Sequence, residues 1–168
     1  MRERRPARGG DAAAPRTPVS PKAMAVRWLA RREYSRVELS QRLRQKGVET
    51  AEIERALDEL AAAGYLSDAR YAQAVVAQRA GRYGRRAIIH ALKERGIGAE
   101  DAAGALAPLA GADEYAEAQA LWRQRFGTAA ANERDKARQV RFLQARGYSL
   151  SVALRVMRAA GHRDDDDT

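Results

Sequence analysis

A segment of 15 residues occurs twice in this chain, 49 positions apart, and it constrains the fold more than any other feature. YSRVELSQRLRQKGV at 34–48 aligns without a gap on YGRRAIIHALKERGI at 83–97. A third and weaker copy, DKARQVRFLQARGY at 135–148, follows at an offset of 51. A unit of about 50 residues taken three times predicts a repeat protein, in which successive units stack on one another.

Regular punctuation by glycine and by capping residues indicates that each unit is helical. Ser35 followed by Glu38 forms a capping box, in which each side chain accepts from the backbone N–H of the other residue. No stretch alternates with the period of two that strands require. Glycines predicted to end helices stand at 47, 64, 96, 111, 127, 147 and 161. Predicted N-caps are Ser35, Thr50, Ser67, Asp113 and Ser149.

The expected fold is all-α: three tandem copies of a three-helix repeat that form an elongated, curved array. Because one triplet buries little apolar surface alone, we expect neighbouring units to share a core. The predicted helices span 22–33, 35–46, 50–63, 67–81, 83–95, 99–109, 113–126, 132–146 and 149–160. The predicted boundaries are a disordered Arg/Pro-rich leader (1–21), three repeats (22–64, 65–111 and 112–161) and an acidic disordered tail (162–168).

Helical spacing also predicts which side chains form the cores. Val37, Leu39 and Leu43 fall on one face of the second predicted helix. Ile88, Ile89 and Leu92 form the corresponding stripe of the fifth helix, with His90 beside it, partly buried.

No group of residues in the sequence points to chemistry. The chain has no cysteine, and its two histidines, His90 and His162, are far apart. Phosphate-binding, dinucleotide-binding and zinc-protease motifs do not occur, and no pair of carboxylates is singled out. No apolar run approaches the roughly 18 residues of a membrane span, and no secretory signal precedes the first repeat. The expected protein is cytoplasmic and not an enzyme, without cofactor, metal or small-molecule ligand; a hydrolase is the weakest alternative.

The positive charge belongs to the repeats. The formal net charge is +9, and the leader and tail cancel each other, so that residues 22–161 carry the whole excess. A basic folded region indicates an anionic partner, either nucleic acid or an acidic protein surface. The alternative is a surface whose charge only maintains solubility.

Cations recur at related places in each unit, and stacked units would align them as a basic stripe. Some arginines at helix C-termini are explained by the helix dipole alone. Tyr34 and Tyr83 lie among the cations, and packing between helices is favoured over base stacking for both. The candidate partner-binding residues are Arg31, Arg32, Arg36, Arg42, Arg44, Lys46, Arg79, Arg82, Arg85, Arg86, Lys93, Arg95, Lys136, Arg138 and Arg141, with Arg146 beside them.

Three blocks of this sequence closely resemble the RecX family of bacterial regulatory proteins. They are LARREYSxxEL at 29–39, GYLSDARYA at 64–72 and YGRRAI at 83–88. The similarity runs from about residue 22 to residue 161, and the third repeat diverges most. Three blocks in order and at the right spacing make the match specific.

The resemblance implies a modulator of the RecA recombinase that has no active site of its own. Members of the family are tandem three-helix repeats that lie in the groove of the RecA–DNA filament and curb strand exchange, ATPase and coprotease activity. The implied setting is DNA repair, recombination and the SOS response; the implied partners are the RecA filament and, through it, single- or double-stranded DNA. The alternative from another class is a stand-alone DNA- or RNA-binding protein, in which an Arg-rich, Ser-capped helix serves for recognition.

Overall fold

Nine α-helices and one short 3₁₀ helix make up residues 19–165, the part of the chain that the computed structural model describes. This region contains no strand, which confirms the all-α prediction. None of its helices is long and apolar enough to cross a membrane. The α-helices are α1 (Pro21–Leu29), α2 (Arg36–Gln45), α3 (Thr50–Ala62), α4 (Asp68–Arg79), α5 (Arg85–Glu94), α6 (Ala99–Leu106), α7 (Glu114–Arg125), α8 (Glu133–Ala145) and α9 (Leu150–Asp165); the 3₁₀ helix is Ala107–Leu109.

Each successive triplet of helices packs around a core of its own. Leu39, Leu43 and Leu57 belong to the first core, and the second and third are built in the same way. The expected core shared between neighbours was therefore wrong: α1–α3, α4–α6 and α7–α9 each enclose a separate cluster. Each core consists mainly of aliphatic and aromatic side chains on the inner faces of the three helices, which bury apolar surface within the triplet.

The capping chemistry explains most helix starts. The Ser35 hydroxyl accepts from the Glu38 N–H at 3.1 Å, and the Glu38 carboxylate accepts from the Ser35 N–H, which confirms the capping box. Ser67, Asp113 and Ser149 also accept from backbone N–H groups as predicted. The prediction of Thr50 as a cap was wrong, because Thr50 is the first helical residue and Glu49 precedes it without a side-chain cap.

Two glycine assignments were wrong, and one glycine turn was not foreseen. Gly161 lies inside α9, which continues to Asp165, because glycine adopts the right-handed helical conformation as readily as the left-handed one. Gly111 does not adopt a positive φ, whereas Gly81 does, with φ +72°. Of the predicted leader, residues 1–18 lie outside the described residues, as do 166–168 of the predicted tail.

Two hydrophobic residues and the first helix also differ from expectation. Val37 and Ile89 are exposed, so Leu39, Leu43, Ile88 and Leu92 alone form the buried stripes of α2 and α5. Helix α1 ends at Leu29, earlier than predicted, where Ala30 caps it. The segment between α1 and α2 instead brings Tyr34, which is buried, against the first core.

The units join where the second helix of one triplet begins and the second helix of the next triplet ends. At the first contact the start of α2 meets the end of α5, where Val37 lies against Gly96. In the same way the start of α5 meets the end of α8, where the Gly84 N–H donates to the Arg146 carbonyl at 2.8 Å. We call these contacts the first and second junctions. The C-terminus of α8 thus faces the N-terminus of α5, and the C-terminus of α5 faces the N-terminus of α2, as the helix dipoles favour.

Candidate partner-binding surface

Positive charge increases from the first unit to the third. Residues 22–64 hold nine Lys and Arg against seven Asp and Glu, and residues 65–111 hold seven against four. Residues 112–161 hold nine against five. The excess that attracts an anionic partner is therefore greatest in the second and third units, which meet at the second junction.

A buried tyrosine organises the cations of the first junction. The Arg32 guanidinium carbon lies 3.5 Å from the centroid of the Tyr34 ring. Arg42 donates to the Tyr34 hydroxyl at 2.8 Å, and its guanidinium also lies 4.8 Å from the Trp28 ring. Cation–π contact and hydrogen bonding fix both guanidinium groups. The interpretation of Tyr34 as a packing residue is confirmed by its burial.

Glu38 connects the cations of two units across this junction. Its carboxylate pairs with Arg32 of the first unit at 3.2 Å and with Arg95 of the second. The Glu38 side chain is only 11% exposed, whereas the Arg32 and Arg95 side chains are about half exposed, so water still screens part of this attraction. Burial by itself would lower the pKa of Arg32, but the hydrogen bond and negative charge of Glu38 outweigh it and raise that pKa. Arg32 and Arg95 therefore form a carboxylate-binding site, which the chain's own Glu38 occupies.

Two further polar contacts cross the first junction. The Asp68 carboxylate accepts from the Arg36 N–H at 2.8 Å. Arg70 donates to the Glu33 carboxylate at 2.8 Å and to two backbone carbonyls of the turn before α4. Sequence reasoning did not single out Arg70 or Glu33, because the two residues lie 37 positions apart and no local pattern pairs them.

The second junction repeats the arrangement of cations around a tyrosine. The guanidinium carbons of Arg79 and Arg146 each lie 5.1 Å from the centroid of the Tyr83 ring. Arg79, Tyr83 and Arg86 line a groove of about 640 Å³ between α5 and the α8–α9 turn. In the described part of the chain, no carboxylate oxygen lies within 4.0 Å of a side-chain nitrogen of Arg79, Arg86 or Arg146, so none of these arginines forms an ion pair there.

A third group of cations follows helix α8. Arg134, Arg138 and Arg141 line one shallow groove of about 530 Å³. Arg138 pairs with Asp135 at 2.6 Å and lies 5.6 Å from the Phe126 ring, and Lys136 contacts Glu133 at 3.4 Å. These pairs link residues three apart in the same helix and are exposed except for the Asp135 side chain, at 22%, so they compete weakly with a partner.

Some of the remaining predicted cations form hydrogen bonds or ion pairs within the chain, whereas others form no ion pair with the described residues. Arg36 pairs with Glu54 and Asp58, and the Glu54 hydrogen bond is the main cause of the raised pKa of Arg36. Arg44 donates to Ser40 and Arg85 to the Leu106 carbonyl, each at 3.5 Å. In the described part of the chain no ion pair involves Arg31, Lys46, Arg82 or Lys93. That all these cations meet one partner stays a prediction.

The histidine expectation was wrong. The His90 side chain is 72% exposed, because it lies on the outer face of α5, and its ring nitrogen is 3.6 Å from Glu94. Residues 19–161 contain no group of three or more histidine and acidic side chains arranged to hold a metal ion. The arrangement of side chains at the junctions favours binding of anions and offers no nucleophile beside a base.

Family models match all three units in order. The matches are to "RecX, first three-helix domain" at residues 22–60, "RecX, second three-helix domain" at 67–106 and "RecX, third three-helix domain" at 112–157. They cover most of the region that the helical repeat occupies.

Whole sequences and solved structures agree with these matches. The chain is 43% identical to the "Regulatory protein RecX" of Leptothrix cholodnii over 152 residues, which is 90% of this chain and 96% of that protein. It is 41% identical to the same-named protein of Ralstonia nicotianae over 92% of this chain and 96% of that one. The crystal structure of RecX from Lactobacillus salivarius superposes with a TM-score of 0.66 at 18% identity, over 84% of this chain and 94% of that one. A second RecX crystal structure gives 0.69 at 20% identity, over 81% and 70%.

Proposed function

This chain belongs to the RecX family of regulatory proteins, which is not a family of enzymes, and from that premise we propose that it binds in the groove of the RecA–DNA filament. Binding there inhibits the recombinase, ATPase and coprotease activities of RecA. The site of action is the cytoplasm, in DNA repair, recombination and the SOS response. DNA is reached through the filament, and neither a membrane nor a small-molecule ligand takes part.

The observation that carries the proposal is the ordered match of three RecX domains to the three units, at about 40% identity to the named relatives. A family of regulators acts by occupying a surface on another protein. The prediction of a non-enzymatic protein is confirmed by these relatives.

The architecture supports a groove-binding role. Three units with separate cores are joined end to end, and among the described residues no hydrogen bond or ion pair links the first unit to the third. Such an array can contact several protomers of a helical filament at once, so that modest contacts add through multivalency. The net +9 charge would accelerate encounter with an acidic groove or with DNA phosphate.

A pull-down separates this proposal from the DNA-binding alternative. Immobilised full-length protein is incubated with RecA assembled on single-stranded DNA and, in parallel, with the same DNA alone. The proposal expects retention of the assembled filament and a steep loss of retention as salt rises. Tight binding to bare DNA without any preference for the filament would establish the alternative instead.

A further inference from the structure

We propose that the groove of the second junction binds a carboxylate of the partner protein, in the manner in which the first junction binds the chain's own Glu38. The partner segment carries an Asp or Glu side chain for Arg79 and Arg86 and an apolar neighbour for the groove wall. This inference rests on the proposed function, since it names the surface through which the chain meets its protein partner.

The first junction supplies the template. There a glutamate is held between two guanidinium groups beside a tyrosine, with its own side chain nearly buried. The contact joins Arg32 and Glu38 of the first unit to Arg95 of the second, so the carboxylate draws together the start of α2 and the end of α5. Two guanidinium groups around one carboxylate form charge-assisted hydrogen bonds, which are about twice as strong as neutral ones.

The second junction keeps the tyrosine and again places cations beside it, although Arg32 corresponds to Gly81, and it lacks the carboxylate. In the 49-residue alignment Tyr34 corresponds to Tyr83, and Glu38 corresponds to Ala87. Ala87 lines the groove and packs against Gly147, where an added Cβ would lie 2.5 Å from the Ala87 methyl. The small side chain lets the two units approach closely and leaves the nearby cations without a partner from the described chain.

The walls of the groove define the rest of the ligand. Arg79 and Arg86 supply positive charge, whereas Ala91, Ala145 and Leu150 supply apolar surface. Leu150 is 51% exposed, although it is a large hydrophobic residue. A side chain that packs on Leu150 next to a carboxylate bound by the arginines would use both parts of the groove.

A protein carboxylate fits this groove better than a nucleic acid backbone. Glu94 also lines the groove, and a continuous row of phosphates along it would meet that negative charge. An isolated acidic side chain places a single negative charge beside the arginines, and its apolar neighbour can pack on Leu150. Complementary charge at one point and apolar contact at another are typical of protein recognition.

The test compares full-length variants for binding to RecA filaments assembled on single-stranded DNA. R79E/R86E reverses the two groove cations, and R27E/R55E makes the same charge change at two exposed sites on α1 and α3. Filament affinity is expected to fall by about tenfold or more in R79E/R86E, and to fall much less in R27E/R55E. R79Q/R86Q gives a second measure that avoids new repulsion, and circular dichroism checks that all variants retain wild-type helicity.

Each outcome decides one point. Equal affinity of the wild type and R79Q/R86Q would overturn the groove assignment while leaving the proposed function intact. Equal loss in both reversed variants would overturn it as well, because bulk charge would then explain the effect. If R79E/R86E lost affinity for bare single-stranded DNA but kept its affinity for the filament, the groove would be a phosphate site. Failure of the wild type to bind filaments would reject the proposed function itself.

Discussion

Glu38 has a role that its position in the sequence only partly indicates. As the third residue of α2 it completes the capping box with Ser35, and this part could be predicted from spacing. Its bond to Arg95 depends on how two units meet, its bond to Arg32 depends on the turn between α1 and α2, and no local pattern encodes either. The same limit applies to Arg70 and Glu33, which were not predicted.

Replacing Glu38 with glutamine tests its role in the first junction. Gln retains the capping-box acceptor, so E38Q removes chiefly the attraction to Arg32 and Arg95. We expect the free energy of unfolding to fall by about 1–2 kcal/mol. Urea unfolding followed by circular dichroism measures this change.

E133Q is the matched control for E38Q. The Glu133 side chain is 89% exposed, and among the described residues its one ion pair is with Lys136 on its own helix, so a loss of at most about 0.5 kcal/mol is expected. Equal effects in the two variants would contradict a structural role for the Glu38 bridge.

We expect the free energy of unfolding to depend on pH through the buried Tyr148 hydroxyl. Burial, followed by the charges of Glu117 and Glu114, raises the pKa of the Tyr148 hydroxyl to about 12. An unfolded tyrosine ionises near about 10. Because the pKa of Tyr148 is higher in the folded than in the unfolded protein, its contribution to the free energy of unfolding is complete below about pH 10 and is lost as the pH rises toward 12. Unfolding curves recorded between these pH values should show this fall in the free energy of unfolding, and the curves of Y148F should show a smaller fall.

Y148F should leave stability at neutral pH unchanged or slightly higher. The Tyr148 hydroxyl is buried without a hydrogen-bond partner among the described residues, so removing it breaks no bond there. Urea unfolding at pH 7 measures the difference from wild type. A loss above about 1 kcal/mol would contradict this account of the hydroxyl.

At the scale of the helices, their number and approximate positions could be predicted, because glycine turns and caps are local. Gly47, Gly64, Gly96, Gly127 and Gly147 all adopt the positive φ that the pattern predicts. The unforeseen features were the end of α1, the course of α9 through Gly161 and the exposure of Ile89. Periodicity alone specifies neither where a helix ends nor which of its apolar side chains stay exposed.

Gly47 and Gly96 occupy equivalent positions in two repeats and allow a paired test of the first junction. Their φ angles are similar, +80° and +72°. A Cβ at residue 47 would meet nothing within 4 Å, whereas one at residue 96 would overlap a Val37 methyl. We expect G47A to cost roughly 1 kcal/mol from backbone strain alone and G96A to cost clearly more. Thermal unfolding of both variants measures the difference.

V37A provides the internal control for this pair. In the double variant V37A/G96A the methyl group is gone, so the cost of G96A should fall toward that of G47A. If V37A gave no such relief, the close contact between α2 and α5 would not be the cause of the loss.

At the scale of the whole molecule, the three-unit repeat could be predicted, but the separate cores could not. The internal alignment shows how often the unit recurs and leaves open which surfaces of each unit face its neighbours. Because the cores are separate, L143A in the third core should cost about 2–5 kcal/mol locally. Hydrogen exchange should then accelerate in α7–α9 while the amides of α3 keep their protection. Equal loss of protection in all three units would indicate one cooperative core.

The candidate surface was predictable as a set of cations and not as an arrangement. The sequence indicates that arginines recur around Tyr34 and Tyr83. It does not indicate that the first junction satisfies its own charge and the second leaves it open. The second repeat has Ala87 where the first has Glu38, which accounts for the missing carboxylate.

The ATPase activity of RecA on single-stranded DNA, titrated with the full-length protein, tests the central claim most directly. Occupation of the filament groove predicts that ATP hydrolysis falls progressively as the protein is added, and that added salt relieves the inhibition. ATP hydrolysis that stays constant up to a molar excess of this protein over RecA would contradict the claim.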